Sequence, residues 1–167
     1  MATSQAQTLL QIVSKLQIFK GLSPTEVARL LKVCASQTYQ PSEIIYQVGD
    51  PSQEMFILLQ GRLKAVGKTG TTLGEIQPGT CCGEMGVLTG LPRSATVVAT
   101  QKSVGFSVSK QNLNGVLKTD QGMHIKILQN VITLLSQRLG QADASIETYA
   151  GKLRGAEDEH GMLKGLE

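Results

Sequence analysis

Glu84 and Arg93 are the residues of this chain best placed by type and spacing to do chemistry. They are a carboxylate framed by Gly83 and Gly86 and a guanidinium, set in the otherwise apolar stretch 79–99. A carboxylate accepts a hydrogen bond from a hydroxyl, and a guanidinium grips a phosphate with paired N–H donors. The segment therefore suits one small anionic ligand. Arg93 lies beside the strand-like run Ala95 to Ala99, where a charge without a partner would be costly. A ligand phosphate is the obvious counter-charge.

Other chemistries fail on inventory. No serine, histidine and aspartate set is suggested, and the two histidines, His124 and His160, fall in C-terminal helical segments. A metal-binding cupin barrel would want histidines on its strands and finds none, so no metal site and no enzymatic activity are expected. Cys34, Cys81 and Cys82 give an odd count, and the adjacent pair lacks the spacer that helps thiolates converge on zinc. They read as small core residues in a reducing compartment. The net charge is only +3 with dispersed basic residues, so nucleic acid is not an expected partner. No run of eighteen apolar residues exists and Met1 to Gln7 is polar, so no membrane association is expected and the location is cytoplasmic.

The elements that must position Glu84 and Arg93 can be read in order along 167 residues, of which 41% are hydrophobic, enough for a single core. Leu9, Ile12, Val13, Leu16 and Phe19 share one face of a helix over Thr8 to Phe19, stopped by Gly21. Ser23-Pro24-Thr25-Glu26 supplies an N-cap, a first-turn proline and a capping-box glutamate for a second helix. From Ser36 to Val108 the pattern becomes short strand-like runs: Glu43 to Gln47, Met55 to Leu59, Arg62 to Val66, Thr71 to Ile76, Ala95 to Ala99 and Val104 to Val108. Gly49-Asp50-Pro51, Gln60-Gly61, Gly67 to Gly70 and Pro78-Gly79 form the corners. The fold class is α+β: an antiparallel β-barrel or jelly roll (double-stranded β-helix) flanked by N-terminal helices and a long C-terminal helix.

That long helix carries its own signal. Ile125, Leu128, Ile132, Leu135, Leu139, Ala142, Ile146, Tyr149, Leu153 and Ala156 alternate spacings of three and four, a heptad seam at a and d. Four glycines, at 140, 151, 155 and 161, fall outside the seam, and Arg138 with Asp143 and Lys152 with Glu157 occupy g and e positions. The register favours a parallel homodimer. The first turns of the seam, Ile125 to Leu135, could instead cover the domain's own sheet, as any amphipathic helix does.

Helices, then an eight-stranded-looking barrel, then helices, with Gly83-Glu84 and Pro92-Arg93-Ser94-Ala95 at the late strands, resembles the cyclic nucleotide-binding domain family. Further landmarks are Phe19-Lys20-Gly21-Leu22-Ser23, Gly49-Asp50, Gly61 after Phe56-Ile57-Leu58, Pro78-Gly79 and Ala95-Thr96-Val97-Val98-Ala99. The resemblance covers roughly residues 10 to 140. It implies that Gly83 to Pro92 is a phosphate-binding cassette with a short helix from about Glu84 to Leu88, whose N-terminus favours an anion.

By the same resemblance Glu84 accepts the ribose 2′-hydroxyl, Arg93 neutralises the phosphate, Ser94 donates to a phosphate oxygen, and the amides of Met85 and Gly86 point at the same group, with Gly83 and Ala95 flanking. The aromatic often found before Gly83 is Cys82 here, and Gly86 stands where alanine is usual, implying a slightly roomier pocket. Ala65, Leu73, Gly74 and Cys81 fall near the base, and Ser94 in place of threonine leans to cAMP over cGMP. The long helix usually supplies the lid over the base, and Arg138, Gln141 and Asp143 are the polar residues nearest the expected level, so Arg138 and Asp143 have two competing assignments, ligand contact or coiled-coil pairing.

Three segments are expected: an N-terminal helical bundle at 1–35, the barrel at 36–109 with the cassette at 79–99, and C-terminal helices at 110–167 with a coiled-coil segment at 124–157. Residues 141–167 are too few for a winged helix-turn-helix of the catabolite activator kind. The expected function is a cyclic-nucleotide sensor, cAMP as ligand and no resident cofactor, dimeric through its last helix and signalling to a downstream protein. The alternatives are a dimerisation module without nucleotide and the sensory fragment of a longer regulator.

Overall fold

The computed structural model of the chain describes residue 14 and residues 16–164. Most of the helix predicted over Thr8 to Phe19 lies outside the described residues. Its end is a 3-10 turn, Gln17–Phe19, with Ile18 and Phe19 buried.

Helix α1 (Pro24–Leu31) starts as its capping box dictates: Ser23 Oγ accepts from the Glu26 N–H at 3.2 Å, and Glu26 Oε2 accepts from the Ser23 N–H at 2.6 Å. Eight strands follow: β1 (Ala35–Tyr39), β2 (Ile44–Tyr46), β3 (Glu54–Gln60), β4 (Leu63–Val66), β5 (Thr72–Ile76), β6 (Cys81–Cys82), β7 (Thr96–Ala99) and β8 (Ser103–Ser109). Helix α2 (Glu84–Thr89) separates β6 from β7, and α3 (Lys110–Lys118) and α4 (Gln121–Lys164) end the chain.

The strands form two four-stranded antiparallel sheets, ordered β1-β8-β3-β6 and β2-β7-β4-β5. The predicted jelly roll is therefore present as two facing sheets rather than a closed barrel. The core between them is Tyr46, Phe56, Leu58, Leu63, Ile76, Cys82, Val97 and Ala99, with Tyr39 set edge-on to Phe56 at 5.3 Å between ring centroids. β1 and β6 were not among the predicted runs. The first is polar and largely exposed, and the second is two residues long.

β3 is buried on both faces from Met55 to Leu58, which requires a second apolar layer. Ile18 and Phe19, Leu30 of α1, Leu113 of α3, and Ile127 and Val131 of α4 supply it against Met55, Ile57 and Val108. Fully burying each such side chain contributes about 1.5–3 kcal/mol, so this helical cover is a substantial part of the domain's stability. Cys34 belongs to the same layer. Its thiol donates to the Leu30 carbonyl at 3.2 Å, and burial pushes it up to about 11, so it is inert as a nucleophile near neutrality.

The chain forms one compact unit ending at Val131 and a second beginning at Ile132. In the first, α4 buries Met123, Ile127 and Val131, whereas Ile125 is exposed. The domain is thus covered by a face other than the predicted seam, and the alternative that Ile125 begins the sheet-covering stripe is corrected. In the second unit Ile132, Leu139, Ile146 and Tyr149 are exposed. No helix of the described residues is long and apolar enough to cross a membrane.

Polar contacts fix the start of α4. Asp120 Oδ1 accepts from the Met123 N–H at 3.0 Å and its Oδ2 from Arg29 Nη1 at 2.9 Å, while Lys126 Nζ reaches both Glu26 oxygens at 3.0 and 3.1 Å. Asn130 Nδ2 donates to the carbonyls of Ile18 and Lys20. The Ser23 N–H, followed by Lys126, holds the Glu26 carboxyl below its ordinary value of 4.5. The Met123 N–H, followed by Arg29, holds Asp120 below 3.8. A lowered folded-state value stabilises the fold above the ordinary value and is lost as pH falls through the lowered one. Thermal melts from neutral pH to below 3.8 should therefore show acid destabilisation that is shallower in the double variant Glu26→Gln, Asp120→Asn. Identical pH profiles would contradict the assignment.

Candidate functional site

The site is assembled by a turn that only glycine makes easily. β6 pairs with β3, Phe56 opposite Cys82, and the chain then leaves the sheet at Gly83 with φ +80°. A Cβ there would collide with Arg93 Nη1 and stand 2.9 Å from Tyr46 Cε2 and 3.1 Å from the Glu54 carbonyl oxygen. Helix α2 starts at the next residue and ends on Gly90, also left-handed, whose N–H donates to the Gly86 carbonyl at 2.8 Å. The predicted cassette helix is present, one residue longer than expected.

Arg93 is held at backbone and side chain. Its N–H donates to the Asp50 carbonyl at 2.8 Å, and its carbonyl accepts from the Gly49 N–H at 2.9 Å, so the Gly49-Asp50 corner clamps it. Nη2 donates to the Glu54 carbonyl at 2.7 Å and Nη1 to the Gly83 carbonyl at 3.2 Å. Cζ lies 3.5 Å from the centroid of the Tyr46 ring. Arg93 is 7% exposed, and carbonyl dipoles and an aromatic face already stabilise the buried guanidinium within the protein, partners that the sequence did not reveal.

Glu84, the first residue of α2, is completely buried. Gly86 is buried too, and its missing side chain leaves no open space of its own. A Cβ at Gly86 would collide with Ser52 Oγ and Cβ and stand 2.7 Å from the Leu91 carbonyl oxygen, so Ser52 fills that space. Buried Ser52 Oγ and Tyr46 Oη have no hydrogen-bond partner among the described residues. Burial, then the Cys82 thiol, pushes the Tyr46 phenol well above its ordinary range, with Arg93 opposing, so it stays neutral.

The remaining predicted residues are dispersed in character. Met85 and Ser94 are exposed and Ala95 is half-buried, all on the cassette. Ala65 and Gly74 face each other across β4 and β5, with exposed Leu73 beside them. Cys81 and Cys82 are buried, Cys82 within the core between the sheets. Arg138 and Asp143 belong to the second unit. An open cavity of about 360 Å³ is lined by Ile44, Ile45, Tyr46, Gln47, Asp50, Pro51, Gln53, Glu54 and Arg93, so Arg93 is the one predicted ligand residue on its wall. Tyr46, Ser52 and Glu54 are the neighbours that sequence reasoning missed. Tyr46 had been read only as a strand residue, and Glu54 acts through a carbonyl that any residue would carry.

Comparison with known proteins places this geometry. The family model described as Cyclic nucleotide-binding domain matches residues 36–120, about half of the chain. A solved cyclic nucleotide-binding domain from Methylobacillus flagellatus superposes with a TM-score of 0.73 at 25% identity, covering 84% of this chain and 82% of that one. Glutaminase 1 of Bradyrhizobium diazoefficiens is 29% identical over 78% of this chain and 21% of its own length. The cyclic AMP receptor protein of Thermus thermophilus is 25% identical over 78% of this chain and 60% of its own. The chain thus spans from about a fifth to three fifths of the length of these curated relatives. With two facing sheets, a glycine-led helix between β6 and β7, and a buried arginine closing the cassette, the chain belongs to the cyclic nucleotide-binding domain family.

Proposed function

We propose that the chain is a cyclic-nucleotide sensor that takes cAMP in preference to cGMP and passes its ligand state through the C-terminal helix to a downstream protein. One observation carries the reading: Arg93 Nη1 rests on the carbonyl of Gly83, the residue before Glu84, so the cassette brings its buried guanidinium and buried carboxylate to one turn. Glu84 accepts the ribose 2′-hydroxyl, and Arg93 with Ser94 and the Met85 and Gly86 amides holds the cyclic phosphate. Gly83 and Ala95 frame that contact, with Leu73 and Cys82 on the base side. Ser94 supports cAMP, as does similarity to a cyclic AMP receptor protein.

No catalytic residue, resident cofactor, nucleic acid or membrane enters this reading, and the setting is cytoplasmic. The exposed seam residues Ile125, Ile132, Leu139 and Ile146 support a homodimer through α4, in which Arg138 either pairs across the dimer or closes over the base. Ligand binding shifts a pre-existing equilibrium between helix arrangements.

A second reading is a dimerisation module that has lost nucleotide binding. Its support is that protein groups already satisfy Arg93. Calorimetry separates the two. The sensor binds cAMP, and Arg93→Ala weakens it by about 2–5 kcal/mol because the phosphate loses its counter-charge. Absence of heat and of thermal shift with both cAMP and cGMP leaves only the module. Sedimentation should give a dimer with or without nucleotide, and a monomer under both conditions contradicts the helix-dimer part.

A further inference from the structure

We infer that Tyr46 is a positioning residue for Arg93: its ring fixes one face of the guanidinium while the Gly83 and Glu54 carbonyls fix two of its N–H groups, setting the arginine for phosphate before ligand arrives. This rests on the cyclic-nucleotide reading of the cassette.

The geometry is specific. Cζ stands 3.5 Å from the ring centroid, far inside the distance of about 6 Å at which a cation feels an aromatic face. The attraction is strongest without water, and the two residues are 7% and 6% exposed. Ring, guanidinium and Glu54 carbonyl close around the space that a side chain at Gly83 would occupy, so the glycine is what lets them meet. Two of the five guanidinium N–H groups are spent on carbonyls at 3.2 and 2.7 Å. On this inference the others serve the anion.

An arginine anchored on one face and two donors has little rotamer freedom left to lose, so binding does not carry that ordering cost. The Tyr46 hydroxyl takes no part. It is buried with no hydrogen-bond partner among the described residues, and the phenol is neutral. The role therefore belongs to the ring.

The test is cAMP affinity by NMR titration, which also registers weak binding, on the whole chain carrying Tyr46→Leu, Tyr46→Phe and Arg93→Ala, alone and combined. Tyr46→Leu should bind at least about fivefold more weakly, and Tyr46→Phe should restore affinity. Adding Tyr46→Leu to Arg93→Ala should cost nothing further, whereas a purely structural role would weaken both backgrounds alike. Unchanged affinity in Tyr46→Leu, equal loss in Tyr46→Phe, or undiminished loss beside Arg93→Ala overturns the inference.

If Tyr46→Leu does not fold, the Arg93 side-chain resonances of the wild type decide. Ring-current displacement to high field supports the stack, and ordinary positions overturn it. A wild type that binds neither cAMP nor cGMP removes the nucleotide reading and this inference together. A wild type that binds, with Arg93→Ala weakened and Tyr46→Leu not, removes this inference alone.

Discussion

Burying the guanidinium of Arg93 is the constraint on which the cassette depends. A charge shielded from water needs polar partners in fixed directions, and three separate parts of the chain converge to provide them. The β3 start contributes the Glu54 carbonyl, the β6 exit contributes that of Gly83, and β2 contributes the Tyr46 ring. None could arrive without the sheet register that pairs β6 with β3 and β2 with β7. The Gly49-Asp50 corner completes the arrangement by clamping the Arg93 backbone from both sides.

The same constraint explains local sequence features that would otherwise look arbitrary. Gly83 is required twice over, by its left-handed backbone and by the guanidinium and ring occupying the place of a side chain. Gly86 and Ser52 share one volume, so a small change in the cassette is matched by a residue on the loop before β3. Beneath this, the outer face of β3 needs its helical cover, and Ile127 and Val131 tie the start of α4 into that layer. The cassette domain and the start of α4 are therefore physically continuous in the first unit, the condition that the proposed population shift needs.

Much of the fold was legible because its signals are local. The Ser23 capping box, the glycine corners and six of the strands follow from neighbouring residues, and Glu84 and Arg93 announced themselves by charge in an apolar stretch. β1 was hidden by its polar, exposed character and β6 by its brevity. α4 carries apolar residues on more than one face, and periodicity alone selected Ile125 and Ile132 although the domain is covered by Met123, Ile127 and Val131. The partners of Arg93 could not be read at all, since two are backbone carbonyls and the third is brought from β2 by tertiary structure. The filling of the space at Gly86 by Ser52 was equally illegible, because the two residues are distant along the chain.

In the proposed reading a ligand phosphate joins a guanidinium that already has protein partners, so its fixed orientation adds to charge pairing in setting affinity. A crystal structure of the chain with cAMP tests this most directly. The cyclic phosphate should lie on Arg93 and the cassette amides, with the ribose hydroxyl on Glu84 and Tyr46 still stacked beneath the guanidinium. Nucleotide seated instead against Asp50 and Gln53, or a cassette left empty at saturating cAMP, would contradict it.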